Sequence, residues 1–465
     1  MLKFLHKIPR IRFRRRQIDT KEPEPPSPIT IYYLVLWPSI VLVFFGLLMT
    51  FSATSVSNIS AGINPYGAFA RTIIITVASV LVAGIVTVAG TGLINRLTGS
   101  FYAICLLLQV LVIFFGAESG GNTNWLQIPG TSQMIQPSEF LKLATVLLMA
   151  RILARKWIDL SNWKQVAFWG GWPPLVAATF VMLGHDMGTA LVFVALAVGA
   201  LWVAGIPRKW FVVIGIVGAF LAALFVGVNP SRIQRVMAVF DFSNEVDLSA
   251  PTQSDHALWA LGTGGLFGLG PGASREKWDY LQEAHTDFIL AIIGEEFGLV
   301  GTLVLLATVT VLIWAMLRVA AFGSTAFVRI AAGGIGSWIF FQTFVNVGTV
   351  TGLLPVIGVP FPLVSYGGSS FLATALAIGV MLCFVRSEVG FRQMSKFAAT
   401  TGGRDPRVMP LRRIVWSKFT GSKARTKRPA VSRSSTRTSA RLSTPPYNRT
   451  KNLGATDSTT KRRGR

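Results

Sequence analysis

Charge is what the middle of this chain lacks. Only 14% of its 465 residues are Asp, Glu, Lys or Arg, against 51% hydrophobic, and the mean hydropathy is +0.54. That balance argues against a soluble protein and for a membrane-embedded body. Acids are scarcer than bases, 20 against 44, and the resulting formal charge of +24 taken alone suggests a nucleic-acid binder. Its placement removes that reading. Residues 1–30 hold eight Lys/Arg and three acids, residues 386–465 hold twenty-one and three, and the stretch between is left at +1. Cysteine is nearly absent: Cys105 and Cys383 both lie in apolar runs, so no disulfide framework is implied and small buried residues are their role. The chain also lacks any convincing internal repeat.

What is present is long apolar runs. They centre at 31–50, 72–90, 101–116, 138–153, 165–183, 187–204, 211–228, 288–315, 326–345 and 368–385. The fold class expected is an all-α polytopic membrane protein with about ten transmembrane helices. The basic "RIRFRRR" is parted from the first run by "KEPEPPSP", and that run is too long for a signal-peptide core, so it is read as a retained span. With the N-terminus cytoplasmic, the inner loops carry Arg96, Arg155, Lys156, Lys164, Arg208, Lys209 and Arg318. The outer connections at 51–70, 117–137, 184–187 and 346–367 carry no Lys or Arg. This is the distribution expected when both termini are cytoplasmic.

One outer connection differs. Residues 229–287, between spans 7 and 8, form a large extracytoplasmic loop with Arg232, Arg235, Arg275, Lys277 and eight acids. Long loops in compact proteins are commonly functional, and the Gly-rich "ALWALGTGGLFGLGPG" within this one points to a packed or re-entrant segment. The chemistry is therefore expected on the outer face. The tails, 1–30 and 389–465, are basic, and the second is too poor in apolar residues to fold alone. Attraction to the anionic cytoplasmic leaflet and docking on an acidic cytoplasmic partner are two roles for it.

Inside "YLQEAHTDFILAIIGEEFG", Asp287 precedes the eighth span. A carboxylate partly withdrawn from water there has a raised pKa and suits a general base; the alternative is an N-terminal acid favoured only by the helix macrodipole. Glu295 and Glu296 lie roughly 12 Å deeper at helical rise, where acids mark a buried pair or an ion path. "QPSEFLK" opens the fourth span, with Glu139 and Lys142 on one face. They form either an internal ion pair or, through Lys142, an ammonium that meets Asp287 or an anionic substrate. "GHDMGT" puts Asp186 in a tight turn, and "VSYGGSS" puts glycines and Ser369 at the start of the last span, for close packing or for a ligand phosphate. Arg232 and Arg235, three apart, either clamp a pyrophosphate or carry screened surface charge.

Together, "QPSEFLK", "DMGTA", "ALGTGGLFGLGPGASREKWDYLQEAHTDFILAIIGEEFG" and "NVGTVTGLLPVIGVPFPLVSYGGSSFLATALAIGVML" resemble the SEDS family (shape, elongation, division and sporulation) of bacterial cell-wall proteins over residues 31–388. The run "GASREKWDYLQEAHTDFI" is more similar to its division-type, FtsW-like branch than to its elongation-type, RodA-like branch. Three positions depart from the family pattern: Gly184-His185 where Gln-Pro is common, Asn124 where a basic residue usually precedes the Trp, and Gln282 for a usual Pro.

The resemblance implies a peptidoglycan glycosyltransferase that polymerises lipid II at the outer face of the bacterial cytoplasmic membrane, at the division septum, beside a cognate class B penicillin-binding protein and other divisome proteins. It places the catalytic acid on Asp287. Glu283, His285, Glu139, Lys142, Arg232, Arg235 and Ser369 are then expected around the undecaprenyl-pyrophosphate-linked substrates. No obligatory cofactor is implied; the diphosphate is expected to be stabilised by Lys142, Arg232, Arg235 or a divalent cation, Mg or Mn. The rival readings are a lipid II flippase, with Glu295, Glu296 and Lys142 along a path, and a non-catalytic division scaffold.

Overall fold

The structure is a computed structural model that describes residues 27–119, 122–127, 134–159, 162–227, 237, 251–278, 280–281, 283–365 and 367–388. Both expected tails, nearly in full, and the candidates Arg232 and Arg235 lie outside them.

Each of the ten apolar runs falls on a helix, in the order α1 (Pro28–Ser60), α2 (Pro65–Ala89), α3 (Thr91–Phe115), α4 (Pro137–Leu153), α5 (Trp163–Leu183), α6 (Met187–Ala204), α7 (Lys209–Gly227), α9 (Ile289–Phe322), α10 (Ala326–Val350) and α11 (Gly368–Ser387). A shorter helix, α8 (Gln253–Gly264), stands between α7 and α9. Over their described residues, eight of these helices are long and apolar enough to cross a membrane; α4 has 17 residues. The chain is an all-α polytopic membrane protein. Helices α1 and α9 outrun the apolar runs that announced them, because helical hydrogen bonding continues past the lipid-length stretch until a cap or glycine ends it.

Helix α4 is the axis of the bundle. It packs against α3, α5, α6, α10 and α11, and fifteen of its seventeen residues are buried. A helix that is apolar all round belongs inside other helices rather than against lipid. Its N-terminus, with Pro137 in the first turn, lies in the same end of the bundle as the N-termini of α6, α9 and α11 and the C-terminus of α10.

Two features of that end went unseen in the sequence. Between α3 and α4, three short strands form an antiparallel sheet in the order β1 (Ala117–Ser119), β2 (Asn122–Gln127) and β3 (Met134–Ile135), with Ala117 opposite Trp125 and Leu126 opposite Ile135. The Thr123 amide donates to the Gly184 carbonyl at 3.1 Å, which docks the sheet on the α5–α6 turn.

The second feature is a break in α9 at Gly298, whose φ of 67° leaves the helical region. The segment after α8 supplies partners there: Leu269 and Gly270 donate to the Glu295 and Glu296 carbonyls at 2.9 and 3.0 Å, and Leu299 and Val300 donate to Gly265 and Leu266 at 2.9 and 3.1 Å. Backbone can leave a helix at membrane depth only where protein re-satisfies it. The expectation of a packed glycine-rich segment is met: a Cβ on Gly264 or Gly268 would lie 2.0 Å from the Gly294 carbonyl oxygen or 2.2 Å from that of Glu296.

Candidate active site

Asp287 sits one residue ahead of the N-cap of α9, in a turn wound around one carbonyl. The amides of Thr286, Asp287 and Phe288 all donate to the Glu283 carbonyl, at 3.1, 3.2 and 3.3 Å. Glu283 is itself at φ 55°, a left-handed conformation that brings the chain round sharply, and its carboxylate accepts from the Thr286 hydroxyl at 2.7 Å. The Asp287 carboxylate is partly buried and accepts no hydrogen bond among the described residues. Burial first, and then the negative charges of Glu283 and Asp186, push its pKa from the usual carboxylate range up to about 7. A carboxylate so placed is half-ionised near neutrality, the condition for an efficient base.

Asp186 caps α6. Its Oδ1 accepts from the Thr189 amide at 2.9 Å, and its Oδ2 from the Asn124 side-chain amide at 2.9 Å and that of Gln136 at 3.4 Å. Burial pushes its pKa up, the hydrogen bonds from Thr189 oppose the rise, and the fields of Glu139 and Lys142 act in opposite senses. Asn124, which departs from the family pattern, is therefore a partner of this carboxylate; a polar residue on a strand in an unrecognised sheet offered no sequence signal for it.

Glu139 and Lys142, both closed to solvent, pair at 2.8 Å on α4. The Lys142 ammonium also lies 5.0 Å from the centre of the Trp338 ring, whose indole N–H donates to Gln342 Oε1. The second Glu139 oxygen has no partner among the described residues. Ser369, at the first turn of α11, accepts the Gln136 amide at 3.1 Å. His285 is partly buried, and burial lowers its pKa while Glu283 raises it. Asp287, Asp186, Glu139, Lys142, Ser369, His285 and Glu283 thus gather at one end of the bundle, linked by contacts and fields.

Glu295 and Glu296 point elsewhere. Glu295 accepts from the Ser274 hydroxyl at 2.5 Å and the Arg275 amide at 2.9 Å; Glu296 accepts from Ser52 at 2.6 Å and Lys277 at 2.9 Å. They pin the 272–277 segment to α9 and α1. Among the described residues no three His, Cys, Asp or Glu side chains are placed to hold a metal ion together.

Beside the site, a small groove runs between α1, α2 and the segment before α11, lined by Val43, Leu47, Ile75, Leu363, Ser365 and Phe371. Its walls are mostly apolar, with Ser365 at one end.

Comparison with known proteins fixes the class. A family model described as cell cycle protein, for the FtsW, RodA and SpoVE group, matches residues 33–389. The chain is 36% identical over 288 residues to stage V sporulation protein E of Bacillus subtilis, covering 60% of this chain and 76% of that one. It is 34% identical over 366 residues to a probable peptidoglycan glycosyltransferase FtsW of Thiomonas intermedia, covering 75% and 87%. Among solved structures, a peptidoglycan synthase complex described as coordinating polymerization and crosslinking contains a chain that matches with a TM-score of 0.61 at 25% identity, over 75% of this chain and 97% of that one. The Thermus thermophilus rod shape determining protein RodA shares the fold, with a TM-score of 0.57 at 24% identity, over 77% and 97%. The chain belongs to the FtsW/RodA/SpoVE family.

Proposed function

We propose that this protein is a peptidoglycan glycosyltransferase that polymerises lipid II into glycan strands at the outer face of the cytoplasmic membrane during cell division. Asp287 acts as the general base. The observation that carries the reading is the Asp287 carboxylate itself, partly buried, unpartnered among the described residues and held near neutrality in its pKa by burial, Glu283 and Asp186. A carboxylate whose pKa is shifted by burial and like charge, with no cation beside it, marks a functional site.

In the reaction, the 4-hydroxyl of an incoming lipid-linked disaccharide attacks the anomeric carbon of the growing chain. Asp287 takes the hydroxyl proton as the new C–O bond forms, and the bond from the anomeric carbon to undecaprenyl diphosphate breaks with its electron pair on the diphosphate. A single displacement at an α-linked donor gives a β-linked product. Arg232 and Arg235 supply positive charge to the leaving group, an effect typically worth about 3 kcal/mol per group, while Lys142, closed to solvent and paired with Glu139, lies behind the site. His285 and Glu283 line the saccharide and diphosphate end, the buried Ser369 and Glu139 support it from behind, and the groove between α1 and α2 takes a polyprenyl tail.

The flippase alternative draws less support, because Glu295 and Glu296, which it needs along a path, are held by Ser274, Arg275, Ser52 and Lys277. Both termini are cytoplasmic on the loop-charge pattern, the enzyme works at the septum with a class B penicillin-binding protein and other divisome proteins, and the basic C-terminal tail meets anionic lipid or an acidic partner. The test is polymerisation of purified lipid II by the full-length protein with its cognate transpeptidase. Wild type yields glycan strands and Asp287→Asn does not; polymer from the variant would refute the base.

A further inference from the structure

We propose that Asn346 and Ser365 are positioning residues for Asp287, clamping two consecutive backbone carbonyls so that its carboxylate is held in one direction beside Gly358. The inference rests on the general-base reading above. Asn346 lies in the last turns of α10 and is buried. Its side-chain amide has two hydrogens and both are used: one donates to the Asp287 carbonyl at 2.7 Å, the other to the Val359 carbonyl at 2.9 Å. Ser365, buried just ahead of α11, accepts the Phe361 amide at 2.7 Å and donates to the Thr286 carbonyl at 2.5 Å.

Each side chain therefore has one contact on residues 286–287 and one on residues 359–361. Two clamps on adjacent peptide units leave little freedom in the torsions between them, and those torsions set the direction of the Asp287 side chain. The segment they tie down contains Gly358, at φ 69°, where a Cβ would stand 3.4 Å from Asp287 Oδ2. The same segment thus holds the backbone of the base and lies against its carboxylate.

Only particular side chains do this. Asparagine offers two donors on one neutral atom; aspartate has none and would repel both carbonyls. Serine donates and accepts through one oxygen, and threonine retains that chemistry where alanine loses it. A base displaced by about 1 Å loses up to about a hundredfold in rate with little change in substrate binding.

The experiment uses the full-length protein with its cognate transpeptidase and purified lipid II, following kcat and KM from about pH 5 to about pH 9 for wild type, Asn346→Ala, Ser365→Ala, Ser365→Thr and Asp287→Asn. Rates are normalised to folded protein by size-exclusion chromatography. Expected for Asn346→Ala and Ser365→Ala is a kcat lower by roughly tenfold to a hundredfold with KM within about threefold. The acidic limb of the profile moves to lower pH as the loosened carboxylate reaches water, and Ser365→Thr recovers most of the rate. The inference is overturned if kcat of both alanine variants stays within about twofold of wild type while Asp287→Asn is inactive. It is overturned equally if their loss follows the folded fraction alone with the pH midpoint unmoved. Should Asn346→Ala fail to fold, the serine pair decides. Activity in Asp287→Asn would instead bring down the base reading, a separate outcome.

Discussion

The Lys277 ammonium and the Glu296 carboxylate meet at 2.9 Å with both side chains almost wholly closed to solvent. The same ammonium donates to Ser52 and to the Gly272 carbonyl, at 3.1 and 2.7 Å, so one cation joins α1, α9 and the segment that follows α8. That segment leads through residues 274–281 to the turn that presents Asp287, and its anchorage bears on the site.

Removing one member of the pair leaves the other charge buried without its partner, which typically destabilises by about 3–5 kcal/mol. Lys277→Met should therefore lower the melting temperature of the detergent-solubilised protein sharply. The double variant Lys277→Met/Glu296→Gln should recover part of the loss, because charge no longer lies stranded. A double variant less stable than Lys277→Met would contradict this account.

The break in α9 makes a second demand. Gly268 has φ 82°, and a Cβ there would lie 2.2 Å from the Glu296 carbonyl oxygen and 2.4 Å from its carbon, backbone atoms that cannot swing aside. Gly268→Ala should unpair the 265–270 segment from α9, seen as faster hydrogen exchange at Leu269, Gly270 and Leu299. Gly262→Ala, where a Cβ meets nothing within 4 Å, serves as the control and should leave exchange unchanged.

Both features show where the sequence was legible. Apolar runs at lipid length located every long helix, because in a bilayer hydrophobicity and span coincide. Glycine spacing in "ALGTGGLFGLGPG" announced close packing, since a missing side chain serves backbone approach in any setting. The break at Gly298 was hidden, because Gly294 and Gly298 read equally well as an ordinary helix-packing pair. The sheet between α3 and α4 was hidden too: its strands have two, three and six residues and no clean alternation. At the site, Asp287, Asp186 and the Glu139–Lys142 pair were visible as charges in the wrong solvent. Asn124, Asn346 and Ser365 were not, because neutral hydrogen-bonding residues carry no such signal until the chain brings carbonyls and carboxylates to them.

The raised pKa of Asp287 makes stability and activity move oppositely with pH. Below the unfolded-state value near 3.8 the group is protonated in both states. As pH rises toward about 7 the unfolded chain releases a proton that the folded protein retains, so the folded state loses stability, and above about 7 the full penalty is present. Asp287→Asn removes a charge that the fold disfavours. It should raise the melting temperature at pH 8, leave it unchanged near pH 4, and abolish polymerisation at both. Wild-type polymerisation should climb through an acidic limb with a midpoint near 7.

Asp186 offers the sharpest test of that field. Its negative charge is one of the causes that raise the Asp287 pKa, and it also caps α6 through the Thr189 amide. Asparagine caps a helix about as well as aspartate, so Asp186→Asn keeps the cap on Thr189 and deletes the charge, while its amide nitrogen replaces the oxygen that accepts from Asn124 and Gln136. With one repelling neighbour gone, Asp287 ionises more readily, and the acidic limb of the polymerisation profile should move to lower pH while the plateau at high pH changes little. The shift should be partial, since burial and Glu283 remain and are the larger causes. Asp186→Ala removes cap and charge together, so it should move the limb the same way but also destabilise the protein by about 1 kcal/mol through the lost cap. An acidic limb that stays in place in Asp186→Asn would mean that the two carboxylates do not sense each other across the site.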